Sequence, residues 1–166
     1  SSILNQLYML LVTLSQDLYR RNFTLGQGLW GGQPSDLYDV RLRPTTTDDS
    51  GKPSLSTPGG SLTTALTHVV YTRDAAGQAR VYLDNVEVVS ATIDGDLSNW
   101  DAGYALALAN ELTEDRTWLG ELHLVAVYSR ALSQAEIEDP RHAGRLPEVP
   151  QDVQGQHLLG AAQFFQ

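Results

Sequence analysis

Residues 68–93, HVVYTRDAAGQARVYLDNVEVVSATI, decide the fold of this chain. Apolar and polar residues alternate around two turn signals, a pattern that predicts two consecutive antiparallel hairpins. Asp84-Asn85 is a two-residue turn in which both residue types tolerate positive φ. The turn places Tyr82 opposite Glu87. The pairs predicted on the buried face are Leu83 with Val86 and Val81 with Val88.

The upstream turn, Asp74–Gly77, is predicted to be a four-residue loop in which Gly77 supplies the left-handed residue. The pairs that this loop adds to the apolar face are Val70 with Val81 and His68 with Leu83. The second face of the hairpins is mixed, which is typical of a sheet half open to solvent. It carries Val69, Tyr71, Tyr82, Arg80 and Glu87.

Further strands are predicted on both sides of the hairpins, because short apolar or alternating runs are separated by turn-forming residues. They span residues 7–15, 22–27, 38–43, 104–109 and 118–128. In the run 38–43, the residues predicted to point inward are Tyr38, Val40 and Leu42, and those predicted outward are Asp39, Arg41 and Arg43. Short strands with almost no helix predict an all-β jelly-roll β-sandwich of two antiparallel sheets.

One short helix is predicted near residues 133–139. Ser133 and Glu136 form a capping box, in which the Ser hydroxyl accepts from the Glu amide and the Glu carboxylate reaches back. Leu132 and Ile137 occupy the positions of a hydrophobic staple. The helix is expected to end before Pro140, because proline cannot continue it.

Four segments resemble the C-terminal half of a laminin-G-like domain of the concanavalin A-like lectin/glucanase superfamily. They are HVVYTRD (68–74), ARVYLDNVEVVS (79–90), DGDLSNWDAGYALALANE (94–111) and WLGELHLVAVYSRALSQAEIE (118–138). The resemblance covers residues 60–138 and, more loosely, 7–45. It implies a β-sandwich domain over residues 1–145, with a C-terminal tail or edge segment over 146–166. Such domains usually have strands before the equivalent of Leu10–Leu14, and no such strands are found here. Three alternatives stay open: the chain is a fragment, residues 1–6 and the C-terminal tail supply the missing edges, or a neighbouring chain supplies them.

The composition is that of an ordinary globular domain, with 42% hydrophobic and 19% charged residues among 166. The net charge of −9 argues against nucleic acid as a partner, because a phosphate backbone requires a basic surface. The same charge is compatible with cation binding or an extracellular location. The lack of cysteine does not decide the compartment. The apolar run near the N terminus is too short to cross a bilayer, so no membrane insertion is expected.

The loop after the second hairpin is the candidate metal site. Asp94, Asp96, Asn99 and Asp101 lie close together in the sequence, and calcium takes about six to eight oxygen ligands, mostly carboxylates and carbonyls. Some laminin-G-like and pentraxin-like domains bind calcium at a sandwich edge, so the resemblance implies calcium as a candidate cofactor. The alternative is a solvated turn with Asx caps, held by Trp100. A second acidic loop with the same alternatives comprises Asn110, Glu111, Glu114 and Asp115.

Exposed aromatic side chains are the candidate ligand-binding groups, because pyranose rings stack their C–H groups on aromatic faces. The candidate residues, with two hydrogen-bonding neighbours, are Trp30, Tyr71, Tyr82, Arg80 and Glu87. Trp30 lies on the glycine-rich loop 26–35 and is the first candidate. The alternative is that Trp30 covers a core edge and that the tyrosines are buried. Trp100 and Trp118 each adjoin a strand end and are expected to be structural.

The sequence does not predict an enzyme. Glycoside hydrolases need two carboxylates flanking the scissile bond, and no predicted strand carries such a pair. Glu136 is used by the helix cap, and the pair Glu121 and His123 lacks a nucleophile. No cysteine or histidine spacing indicates zinc, and no glycine loop indicates phosphate binding.

These observations predict a non-catalytic recognition module, extracellular or at the cell surface, that binds a glycan or a protein ligand with calcium as a candidate cofactor. The alternative is a structural β-sandwich subunit of a cell-surface protein or extracellular assembly with no small ligand. Its open edge would accept a strand from a neighbouring chain. A glycoside hydrolase-like domain is the distant third interpretation.

Overall fold

The computed structural model describes residues 9–114 and 116–139 and the backbone of 161–165. The strands are β1 (Leu10–Ser15), β2 (Arg21–Gln27), β3 (Tyr38–Leu42), β4 (Leu55–Ser56), β5 (His68–Arg73), β6 (Gln78–Leu83), β7 (Val86–Thr92), β8 (Ala105–Leu108), β9 (Leu124–Tyr128) and β10 (Ala161–Phe165), and the helix is α1 (Gln134–Glu138). This content confirms the predicted all-β class with one short helix near residues 133–139. The chain divides into two compact units, each with one antiparallel sheet.

The first unit contains the described residues up to Thr64 and Gly95–Gly120. Its five-stranded sheet has the order β4-β3-β2-β1-β8. An apolar row crosses four of these strands in register, and all its members are buried: Val12, Leu25, Val40 and Leu55. Because side chains alternate along a strand, the next row lies on the opposite face of the sheet, and it is polar: Thr13, Thr24 and Arg41.

The polar side chains in and just after β3 alternate with the apolar row, as predicted, but the face on which they lie is not open to solvent. Asp39, Arg41 and Arg43 are each less than 9% exposed. The Asp39 carboxylate lies 3.1 Å from Arg41 Nε, and Arg43 Nη2 donates to Asn22 Oδ1 at 2.7 Å. These partners compensate the loss of water, which alternation alone cannot reveal.

The second unit contains Ala65–Asp94 and the described residues from Glu121 onward. Its sheet has the order β7-β6-β5-β10-β9, so β10 pairs with β5 on one side and with β9 on the other. Residues 161–165 therefore form an interior strand and not the edge segment expected for them. The domain boundary at residue 145 falls outside the described residues, as do residues 1–8, and both predictions about them stay predictions.

The first hairpin of the second unit differs from its predicted register by one residue. Val70 pairs with Tyr82 instead of Val81, because the loop closes between Asp74 and Gln78. Gly77 has a φ of 81° and donates to Asp74 O, which gives a three-residue loop with a bulge. Tyr71 therefore pairs with Val81.

The second hairpin follows its prediction near the turn and departs from it farther along. The pairs Leu83 with Val86 and Tyr82 with Glu87 are confirmed. The buried position predicted for Val86 is wrong, since its side chain is 63% exposed. A bulge then shifts the register, so Val81 pairs with Val89 and not with Val88.

The predicted strand over residues 118–128 is shorter in the structure, where β9 begins at Leu124. Residues up to Gly120 belong to the first unit, and residues from Glu121 belong to the second. Residues 118–123 form no strand, and the boundary between the two units falls within them.

The helix α1 begins as predicted, with both hydrogen bonds of the capping box formed between Ser133 and Glu136. The staple residues Leu132 and Ile137 are buried in a cluster with Val70 and Tyr82. The helix therefore contributes to the core of the second unit. Neither α1 nor any other helix among the described residues is long and apolar enough to cross a membrane.

The capping carboxylate should make stability depend on pH. Hydrogen bonds from Arg130 and then from Ser133 lower the pKa of Glu136 from 4.5 to about 2. Because the folded-state pKa is lowered, its stabilisation is complete above pH 4.5 and is lost as the pH falls towards 2. We expect urea titrations to show that Glu136→Gln removes about 1 kcal/mol at neutral pH, and less at pH 2. The matched variant Glu138→Gln should leave this pH dependence unchanged; an equal loss in both variants would contradict the assignment.

Candidate functional site

Trp30 is presented at the tip of the loop between β2 and β3. It begins a single 3-10 turn, Trp30–Gly32, in which Gly31 has a φ of 60° and Gly32 a φ of 86°. Glycine adopts these conformations without a Cβ clash. Apart from the adjoining residues, no atom lies within 4 Å of the position that a Cβ would take at either glycine. The tip is therefore open, and Trp30 is 40% exposed.

Two cationic side chains lie over the Trp30 ring. Lys52 Nζ is 3.5 Å from the ring centroid, and the Arg41 guanidinium carbon is 5.0 Å from it. Such contacts are favourable because the face of an indole carries partial negative charge. Arg41 comes from β3 and Lys52 from the loop before β4, so two separate segments meet at this ring.

A polar cluster surrounds Arg41. Asp39 Oδ1 accepts hydrogen bonds from Ser56 Oγ at 2.7 Å and from Gln33 Nε2 at 3.3 Å, while Asp39 Oδ2 accepts from Arg41 Nε at 3.1 Å. Gln33 Nε2 also donates to Ser56 Oγ at 2.8 Å. These contacts link the Trp30 loop to β3 and β4, and they define the rim of the site: Gln33, Asp39, Arg41, Lys52 and Ser56.

The backbone that carries Lys52 is held by a side-chain cap. Asp48 Oδ1 accepts from the amide of Lys52 at 2.8 Å and from the amide of Ser50 at 2.9 Å. The amide of Asp48 in turn donates to Lys52 O at 3.0 Å. This closed turn directs residue 52 towards the Trp30 ring.

The other two tryptophans are structural. Trp100 Nε1 donates to Arg43 O at 2.8 Å, and Trp118 is only 5% exposed. Trp30 is the most exposed of the three tryptophans.

The tyrosine face predicted for the hairpins does not form. Because of the register difference, Tyr71 and Tyr82 lie on opposite faces of the sheet, and both are buried. Burial raises the pKa of Tyr82, and the charge of Glu87 raises it further. Arg80 Nε lies 3.6 Å from Glu87 Oε2, so these two side chains pair with each other. The alternative interpretation, in which the tyrosines are buried, describes this part of the molecule.

The first acidic loop is stabilised by its own side chains. Asp96 Oδ1 accepts from the amide of Ser98 at 3.0 Å, and Asp101 Oδ1 accepts from the amide of Gly103 at 2.8 Å. Asn99 contributes its carbonyl to Arg43 Nη2 at 2.8 Å. Asp94 is exposed and belongs to the second unit. Within residues 9–114 and 116–139, no three His, Asp or Glu side chains are grouped as a metal site would require. Calcium binding stays a prediction.

The second acidic loop contains a buried charge cluster that sequence reasoning missed. Glu111 is 1% exposed; Arg21 Nη2 lies 3.0 Å from Glu111 Oε1, and Arg116 Nε lies 2.9 Å from Glu111 Oε2. Asn110 Oδ1 accepts from the amides of Glu111 and Arg116 at 2.8 and 3.0 Å. Glu114 is exposed, and Asp115 lies outside the described residues. The loop is structural, because Glu111 has two cationic partners.

Sequence reasoning also missed the partners of Trp30. Arg41 and Asp39 stand two residues apart on a predicted strand, a spacing that places them on one face. No sequence signal links that face to Trp30 or Lys52, because three separate segments supply these residues.

No curated protein and no solved structure matches this chain. A family model described as the concanavalin A-like lectin/glucanases superfamily matches residues 17–138, well over half of the chain. The matched range contains β2 to β9, α1 and the Trp30 site. Laminin-G-like domains of this superfamily are commonly binding modules and generally extracellular, and the superfamily also includes glycosidases. The chain belongs to this family, and its two antiparallel sheets with one short helix are those of a laminin-G-like, concanavalin A-like β-sandwich.

Proposed function

We propose that this domain is a non-catalytic, extracellular recognition module that binds a saccharide through Trp30. The observation that carries the proposal is the exposure of this indole at an open loop tip beside a polar rim. A pyranose ring stacked on an indole removes apolar C–H surface from water. Its hydroxyl groups then meet hydrogen-bonding side chains, as in a typical small-ligand site. In this site Gln33 and Ser56 supply such groups.

The placement of carboxylates supports a non-catalytic role. Among the strands that the structure describes, β3 carries one acidic residue, Asp39, β7 carries one, Glu87, and the others carry none. A glycosidase needs two carboxylates flanking one bond. Glu121 and His123 lie 3.2 Å apart, but both are largely exposed to solvent.

The test is retardation of the protein in native gels that contain a panel of polysaccharides. We expect Trp30→Ala to weaken the affinity for the retarding polysaccharide roughly tenfold, because it removes the stacking surface. Tyr19→Ala removes another exposed aromatic ring, which is 75% exposed at the turn between β1 and β2, and it should bind as the parent does. Retardation that survives Trp30→Ala unchanged would contradict the proposed site.

The same gels test calcium as a cofactor. If retardation is lost in EDTA and also in Asp96→Asn, the acidic loop takes part in binding. If retardation is indifferent to EDTA, the Trp30 site binds the saccharide without a metal.

A structural subunit is the second candidate, and the edge strand β8 favours it. Among the described strands, β8 pairs with β1 alone. It is uncharged, and Leu106 and Leu108 are 55% and 47% exposed. Such an edge lacks the charged residues or prolines that usually block strand addition. Sedimentation velocity over a range of concentrations separates the two functions, because an assembly subunit associates with itself or a partner and a monomeric recognition module does not.

A further inference from the structure

We infer that Lys52 makes the Trp30 site select saccharides that carry an anionic group, a carboxylate or a sulfate ester, over neutral saccharides. This inference rests on the proposed saccharide site and adds the chemical class of its ligand. The selectivity depends on the charges around the indole and on the Lys52 ammonium that lies over its ring. It also depends on the free-energy cost of displacing that ammonium.

The charges around Trp30 differ in sign from the charge of the chain. The protein carries a net charge of −9, and Lys52 is its single lysine. Lys52 and the Arg41 guanidinium both lie over the same indole. In the part of the chain that the structure describes, the Lys52 ammonium contacts the ring and no carboxylate lies within ion-pair distance of it. An anionic ligand is the group that would complete this site electrostatically.

The one carboxylate in the rim does not oppose an anion. Asp39 is buried, and its two oxygens accept hydrogen bonds from Arg41, Ser56 and Gln33. Its negative charge is therefore compensated by the guanidinium beside it. Asp48 also interacts electrostatically with Lys52, but no ion pair joins these two side chains, so the ammonium can still pair with an anionic ligand.

Lys52 also covers the surface on which a sugar would stack. Its Nζ lies 3.5 Å from the ring centroid, which is the distance at which a stacked sugar carbon would lie. A neutral sugar must displace the ammonium from the indole and offers it only hydroxyl groups in return. An anionic sugar offers the displaced ammonium a charge-assisted hydrogen bond, which is the stronger interaction. Lys52 thus disfavours neutral saccharides and favours anionic ones. Binding sites commonly obtain specificity from such a combination of repulsion and attraction.

The first measurement uses the single lysine as a probe. Reductive methylation with ¹³C-formaldehyde labels the Lys52 amine and the N-terminal amine and keeps their positive charges. The Lys52 methyl resonance should be shifted upfield by the Trp30 ring, and Trp30→Ala should remove that shift. Titration with an anionic oligosaccharide should move the resonance downfield as the ammonium leaves the ring.

The second measurement is calorimetric titration with three oligosaccharides of equal length: one neutral, one carboxylated and one sulfated. The native chain should bind at least one anionic ligand about tenfold tighter than the neutral one, and the two anionic arms show which group is preferred. Lys52→Met keeps the aliphatic stem and removes the charge. It should weaken anionic binding about tenfold and strengthen neutral binding roughly threefold. Arg20→Gln removes one charge at an exposed turn and should change neither affinity.

The outcomes distinguish this inference from the function on which it rests. Equal affinities for neutral and anionic ligands, unchanged in Lys52→Met but lost in Trp30→Ala, would overturn the selectivity and leave the saccharide site standing. Binding of none of the three ligands, together with no retardation on any polysaccharide, would overturn both. Opposite shifts of the two affinities in folded Lys52→Met, as judged by circular dichroism, would establish the selectivity.

Discussion

Replacing Glu111 with glutamine is expected to lower the free energy of unfolding by about 3–5 kcal/mol, the cost of breaking a buried ion pair from one side. The Glu111 carboxylate is buried between Arg21 and Arg116. Without its negative charge, the two largely buried guanidinium groups lose the carboxylate that they share. The amide of glutamine keeps the size of the side chain, so the loss measures charge and not volume.

Urea titration followed by circular dichroism gives this free energy directly. The matched control is Glu114→Gln, which removes an exposed carboxylate from the same loop and should change stability by less than about 0.5 kcal/mol. Similar losses in both variants would show that the buried cluster does not stabilise the first unit.

Truncating Tyr71 to alanine is expected to lower the free energy of unfolding by about 3–5 kcal/mol, the usual cost of removing a buried aromatic side chain. Tyr71 is 4% exposed and pairs with Val81 in the interior of the second sheet. Burial raises the pKa of its hydroxyl, which therefore stays neutral up to strongly alkaline pH. Tyr71→Phe keeps the ring and should cost about 1 kcal/mol or less.

The Tyr71→Ala variant also tests the corrected position of Tyr71. A ligand-binding tyrosine would lose affinity on truncation while the folded protein kept most of its stability. We expect the reverse: a large loss in urea titration and unchanged saccharide affinity of the folded fraction in the gels. A stable Tyr71→Ala protein with weakened binding would restore the exposed-face interpretation.

Local signals in the sequence predicted the local parts of the fold. The turn at Asp84-Asn85 has positive φ at both residues, 48° and 71°, as their types suggest. The capping box at Ser133 forms as the pattern indicates. Trp30 was predicted on a glycine-rich loop and is exposed there. In each case the determining residues are neighbours in the chain, so pattern and structure coincide.

The remaining features depend on contacts that sequence spacing does not encode. The Gly77 loop is one residue shorter than predicted. Because side chains alternate with a period of two, Tyr71 therefore shares a face with Val81, and Val70 shares the opposite face with Tyr82. The pair Arg21 and Glu111 joins residues 90 positions apart. The position of Lys52 on the Trp30 ring likewise requires the folded sheet. The sequence therefore predicted Trp30 as a member of the candidate site, but it did not predict that Arg41 and Lys52 lie over the Trp30 ring.

The interior position of β10 has a consequence for folding during synthesis of the chain. The hairpins of β5, β6 and β7 can pair as soon as they leave the ribosome, since their contacts are local. Strand β9 pairs only with β10 among the described strands, and β5 keeps an open edge until residues 161–165 arrive. The nascent second unit thus exposes an unpaired strand throughout most of its synthesis. A chaperone that shields strand edges would act at β5 during this interval, and a translational pause before residue 161 would prolong the risk of misassembly.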